Sequence, residues 1–179
     1  MKLRIERIVY VALLVFLCSA AYAQPYRRLT PNDFRGVPKT SGGAVAFTNC
    51  SIEFSYVAKK ESYYYMLTFS IHLTMNSNES WMDRTKINTP AMMAEILKHE
   101  QGHYNIAYME QQELLRELSH TVFYSNYEAV AKNIFNRVDA KYRQLNLDYD
   151  ADTQNSTNRV QQQSWDAYFK KKLEFMPPA

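Results

Sequence analysis

The stretch Ile96-Leu97-Lys98-His99-Glu100-Gln101-Gly102-His103-Tyr104 contains the pattern His-Glu-x-x-His. On a helix, residues four apart share a face with about 5–6 Å between their Cβ atoms, so the imidazoles of His99 and His103 can grip one metal ion. Imidazole–metal bonds of about 2.0–2.1 Å suit Zn²⁺. Glu100 lies about 100° round the helix from His99, beside such an ion rather than on it. A base is needed there to take a proton from metal-bound water.

The flanks predict that helix. Thr89-Pro90 supplies an N-cap and a proline at the first helical position. Met93, Ile96, Leu97, Tyr104, Ala107, Leu114, Leu115 and Leu118 form a stripe of period 3.6, which carries the helix to about Ser119. Lys98, Gln101, Asn105, Gln112 and Arg116 share the opposite, polar face. Glu100 falls near the middle of the apolar arc, where a carboxylate is costly to bury unless something uses it. Gly102 sits mid-helix at a cost of about 0.8–1.0 kcal/mol relative to alanine. It leaves room for a neighbouring strand or a bound substrate.

Upstream, residues 44–57 alternate through Cys50, Ile52, Phe54 and Tyr56, and residues 63–76 through Tyr63, Tyr65, Leu67, Phe69, Ile71, Leu73 and Met75. These are two strands joined by the polar residues 58–62. Thr68, Ser70, His72 and Thr74 occupy the other face, so His72 points to solvent or to the groove above the helix rather than to a metal. Residues 24–43 are broken by Pro25, Pro31, Gly36, Pro38, Gly42 and Gly43, with Phe34 as an apolar anchor. Trp81 lies in a connector, as a core plug or a cleft wall.

Downstream, Ser125-x-x-Glu128 is a capping box that starts a second helix with the stripe Tyr127, Val130, Ala131, Ile134, Phe135, Val138 and Tyr142. A third helix spans residues 158–175, packing through Trp165, Phe169 and Leu173. Lys170-Lys171-Lys172 is a solvated cluster at its C-terminal end.

A catalytic zinc takes three protein ligands and leaves one position open. Glu110 points the same way as the histidines but lies about 10 Å beyond His103 along the helix axis, too far for a bond. The first helix runs about 24 Å past His103, and a second helix of similar travel returns to the metal's level near Tyr142. The acidic segment that follows, read as a loop, offers Asp150 or Asp152 to complete a His-His-carboxylate set, and we carry Asp150 forward. Asp139 is a weaker alternative. Tyr149 and His120 are candidates to stabilise an oxyanion.

Residues 1–23 have the form of a secretory signal: Lys2, Arg4 and Arg7, an apolar run from Ile8 to Leu17, and Ala21-Tyr22-Ala23 as a cleavage site. The run is too short for a membrane span, and no stable membrane insertion is expected after cleavage. The remaining 156 of 179 residues suffice for one core without staples, so residues 24–179 are expected to form a single domain. Cys50 is then the one cysteine left, read as a small apolar residue on a strand. The whole chain carries a formal charge of +3, and loss of Lys2, Arg4, Arg7 and Glu6 brings it to about +1. Nothing in that balance points to nucleic acid.

The blocks Asp33-Phe34-Arg35-Gly36, Ser80-Trp81, residues 97–107 around the motif, and Tyr149-Asp150-Ala151-Asp152-Thr153 together resemble a bacterial family, domain-of-unknown-function family 922. That family is described as predicted secreted zinc-dependent proteases. The resemblance implies a zincin-type fold and a zinc-dependent peptidase. The family pattern continues the last block with a histidine that would be the natural third ligand, and this chain has Asn155 there. A neutral amide is a poor zinc ligand, so a carboxylate or a water takes that place, or the site is weakened.

The expectations are therefore these. The fold is α+β, with a small antiparallel sheet packed on a long metal-binding helix followed by two further helices. The function is that of a secreted or periplasmic metallopeptidase with Zn²⁺ held by His99, His103 and Asp150, Glu100 as the base, and a peptide or protein as substrate. The alternative is a weakened or inactive module of the same fold. A third, looser reading is hydrolysis of other amide bonds, such as those of the cell wall.

Overall fold

In a computed structural model of the chain, the structure describes residues 26–39 and 44–174. The signal-like residues 1–23 lie outside them, as does Phe175 at the expected end of the third helix. The architecture is α+β: β1 (Ala46–Phe47), β2 (Cys50–Lys60), β3 (Tyr65–Met75), β4 (Trp81–Met82), α1 (Pro90–Ser119), α2 (Tyr127–Thr153) and α3 (Arg159–Glu174).

β2 and β3 form an antiparallel hairpin in register from Cys50 opposite Met75 to Lys60 opposite Tyr65. From Tyr65 onward its alternation is the expected one, whereas Tyr63 is exposed outside the strand, and Ala58, Lys59 and Lys60, expected in the connection, belong to β2. Ile71, Leu73 and Met75 are buried, while Thr68, His72 and Thr74 are exposed. The His72 ring faces solvent against the Ser70 hydroxyl at 2.8 Å. The first strand differs from expectation, because it breaks at Thr48-Asn49. Ala46 and Phe47 pair instead with Met82 and Trp81 to make a second two-stranded sheet. Ser80 enforces the break: its hydroxyl accepts the Asn49 N–H at 2.8 Å, which holds Asn49 beside the turn before β4.

The entry segment docks through the anticipated anchors. Leu29 and Phe34 are buried. Gly36 donates its N–H to the Ser80 carbonyl at 2.8 Å, so close that a Cβ there would stand 2.8 Å from the Asn78 carbonyl oxygen. The Asp33–Gly36 and Ser80–Trp81 blocks thus meet in space. Trp81 is a core plug, 4 % exposed, with its ring stacked on Phe47.

Thr89 caps α1 as predicted, its hydroxyl accepting the Met92 N–H at 3.1 Å. The polar face is partly covered, with Lys98 and Arg116 exposed. Asn105 and Gln112 are buried, and Gln101 accepts the Leu29 N–H at 2.7 Å. α1 is a central helix that touches both apolar clusters. One cluster lies among the hairpin, α2 and α3, and the other lies under the entry segment.

α2 corrects two expectations. Its N-cap is Asn126, and no side chain closes a capping bond there. It also continues to Thr153, so the acidic segment is helix and not loop. The register between α1 and α2 explains the length. Glu117 pairs with Arg137, and Glu113 meets Lys141 and, at 2.8 Å, the Tyr142 hydroxyl. Tyr142 is therefore level with Glu113, and ten more residues, about 15 Å of helix, are needed to draw level with His103. α2 ends in three consecutive residues with positive φ, Gln154, Asn155 and Ser156. α3 packs through Trp165, Phe169 and Leu173 as anticipated. Among the described residues, no helix is long and apolar enough to cross a membrane.

Candidate metal centre

His99 and His103 project from α1 toward α2, and Asp150 projects back from α2. His99 Nε2 and His103 Nε2 lie 3.2 Å apart. Asp150 Oδ1 lies 3.3 Å from the first and 3.2 Å from the second. A tetrahedral ion with bonds of about 2.0–2.1 Å keeps its ligand atoms about 3.3–3.4 Å apart. The triangle has that size, and these three residues form a group that could hold a metal ion.

The opposite ring nitrogens show which atoms are free to bind. The Thr153 hydroxyl donates to the Tyr149 carbonyl at 2.6 Å, so toward His99 Nδ1, at 3.3 Å, it can only accept. Gln162 donates through Nε2 to the Asp166 carboxylate at 3.0 Å, which turns its carbonyl oxygen to His99 Nδ1 at 3.2 Å. His99 thus carries its proton on Nδ1 and presents a bare Nε2. His103 Nδ1 likewise faces the Asn146 carbonyl oxygen at 2.8 Å. Two imidazole nitrogens and a carboxylate oxygen converge, an arrangement that could hold a cation between them.

Without a metal the same place favours a proton. Burial lowers the His103 pKa, but the hydrogen bond to Asp150 and the charges of Glu100 and Asp150 outweigh it and leave the pKa raised. Burial raises that of Asp150, but hydrogen bonds from His103 and His99 and their charge hold the carboxyl well below the usual carboxylate range.

Glu100, 3 % exposed, stands outside the triangle but lines the same pocket, a space of about 100 Å³. The Thr48 hydroxyl donates to its Oε2 at 2.6 Å. The strand break at Thr48-Asn49 is what frees Thr48 for that contact. Asn155 and Ser156 reach the rim of the pocket through the left-handed end of α2.

Other sequence candidates lie elsewhere. Asp152 accepts the Trp165 indole N–H at 3.1 Å, and Asp139 pairs with Arg143. His120 caps the far end of α1. The Tyr149 hydroxyl is fully buried and donates to the His99 carbonyl at 3.0 Å, turned away from the pocket. Its ring stacks on His99 and fills the space left by Gly102, so a tyrosine of α2, not a strand or a substrate, approaches there.

A family model described as "Bacterial protein of unknown function (DUF922)" matches residues 31–159. The chain belongs to this family. No curated protein and no solved structure matches it. The matched region of this DUF922 chain includes His99, Glu100, His103 and Asp150. Thr48, Asn146, Thr153 and Gln162 escaped the sequence reading. Asn146 and Thr153 share a helical face with Asp150 and become legible once α2 is extended to Thr153. Thr48 and Gln162 carry no such signal.

Proposed function

We propose that the chain is a zinc-dependent metallopeptidase that acts on peptide or protein substrates outside the cytoplasm. The observation that carries this reading is the meeting of three acceptor atoms, two imidazole nitrogens and one carboxylate oxygen, at tetrahedral spacing beside a buried glutamate. That set matches the His₂-carboxylate ligand pattern of catalytic zinc. Zn²⁺ supplies Lewis-acid polarisation of a carbonyl and makes water acidic enough to attack near neutral pH.

His99, His103 and Asp150 hold the ion, and the pocket beside them receives the scissile amide. Glu100 takes the proton of the attacking water and returns it to the leaving amine. Thr48 aims the Glu100 carboxylate by donating to one of its oxygens. Asp150 at the third corner supports catalysis over the inactive module that Asn155 suggested. The signal-like pattern of residues 1–23 supports export to the periplasm or the medium.

The test is to assay purified protein for bound metal and for cleavage of casein and of peptidoglycan, beside Glu100→Ala. The substitution is expected to retain metal and to lower casein cleavage by about 10²–10⁴-fold. Unchanged cleavage ends the mechanism. Cleavage of peptidoglycan alone moves the substrate to cell-wall amides.

A further inference from the structure

α3 reaches the metal centre through one buried side chain. Gln162, 7 % exposed, places its carbonyl oxygen 3.2 Å from His99 Nδ1. Its amide nitrogen is held by Asp166 at 3.0 Å, and Asp166 is in turn paired with Lys98 of α1. The amide therefore cannot turn round without placing its oxygen against the Asp166 carboxylate. Two further contacts fasten α3 close by: Arg159 pairs with Glu95 at 2.8 Å, and the Trp165 indole donates to Asp152 of α2 at 3.1 Å. The family match ends at residue 159, where α3 begins, so Gln162 lies outside the matched region.

We propose that Gln162 is a positioning residue that ties α3 to the metal centre, so that metal binding and the docking of α3 stabilise each other. This rests on the metal-site reading above. A cation on Nε2 draws electron density from the imidazole and makes Nδ1–H a stronger donor, which tightens its bond to Gln162. The same bond keeps the proton on Nδ1, orients the ring and leaves Nε2 free for the metal. Linkage makes the effect reciprocal: whatever α3 adds to metal affinity, metal adds to the docking of α3. Gln162 touches neither ion nor substrate; it acts through His99 and through the Tyr149 hydroxyl, to which its amide nitrogen donates at 2.9 Å.

The experiment uses the full purified protein and zinc alone as the probe. Zinc affinity is measured by competition with a chromophoric chelator for the unsubstituted chain, Gln162→Leu, Gln162→Glu and Gln162→Glu combined with Asp166→Asn. Amide hydrogen exchange of residues 159–174 is followed with and without zinc. Gln162→Leu is expected to weaken zinc binding by about 10–100-fold, the usual cost of losing an outer hydrogen-bond partner of a ligating histidine. Gln162→Glu keeps an acceptor oxygen toward His99 Nδ1 but sets its other oxygen against Asp166, so it is expected to recover zinc affinity only when combined with Asp166→Asn, which removes that repulsion. Zinc is expected to slow exchange along α3, and that gain should vanish in Gln162→Leu.

Equal zinc affinity in Gln162→Leu and the unsubstituted chain overturns the proposal while leaving the metal site standing. So does α3 exchange that zinc does not alter, a comparison that needs no substitution and holds even if Gln162→Leu misfolds. An unsubstituted chain that takes up no zinc overturns the metal reading itself, and this proposal with it.

Discussion

Tyr149 lies directly over Gly102. A Cβ at position 102 would stand 2.7 Å from the Tyr149 Cε1 and nearer still to its hydroxyl. That ring is fully buried and stacked on His99 with centroids 4.7 Å apart, so it cannot move aside without disturbing the metal centre. Gly102→Ala is therefore expected to destabilise the fold. Overpacking of about 1–3 kcal/mol outweighs the gain of about 0.8–1.0 kcal/mol in helix propensity. Urea denaturation measures the difference, and an alanine variant as stable as the parent would show that α2 yields at this point.

Asp150 and Asp152 offer the same chemistry two residues apart, and the helical arrangement of α2 separates their roles. Asp150→Ala should cost more zinc affinity than the roughly 10–100-fold expected for an outer hydrogen-bond partner. Asp152→Ala should cost much less, since its carboxylate is engaged with Trp165 and bears on the metal centre only through the docking of α3. Calorimetric titration with zinc separates the two. Zinc and a proton compete for the same imidazoles, so affinity should also fall as pH is lowered.

Thr48 touches Glu100 but none of the three proposed ligands. Thr48→Val removes a hydrogen bond to a charged group, worth about 1.5–3 kcal/mol. It should slow peptide cleavage by about 10–100-fold at unchanged zinc affinity. Thr48→Ser restores a hydroxyl and should recover most of the rate. A valine variant with full activity would mean that Glu100 is held by its backbone and packing alone.

Glu110 lies on α1, away from the site, where burial and the neighbouring Asp139 push its carboxyl up to about 7. A folded-state pKa above the unfolded value means that the folded chain binds the proton more tightly. Stability should therefore be highest below about pH 4.5 with respect to this group and should fall as pH rises toward 7. The loss is at most about 3 kcal/mol at 1.36 kcal/mol per pH unit. Glu110→Gln should remove that slope and stabilise the chain at pH 8. Thermal melts between pH 4.5 and 8 check the sign.

What depends on near neighbours along the chain was legible in the amino-acid order. Alternation from Tyr65 to Met75 placed one face of the hairpin in the core, and a 3.6-residue period with a Thr89-Pro90 start placed His99, Glu100 and His103 on one capped helix. Those are local properties, set by backbone geometry within a turn or a pleat. The third corner of the site was a different matter. Asp150, Asp152 and Asn155 were all within reach of a chain assumed to leave its helix near Tyr142. Only the side-chain register between α1 and α2, fastened by Glu113 with Lys141 and Glu117 with Arg137, carries the helix on to Thr153 and turns Asp150 inward. Thr48, in the break between β1 and β2, and Gln162, on α3, come from segments about 50 and 60 residues away from Glu100 and His99. No periodicity in the sequence encodes such meetings, because they arise from how the layers pack.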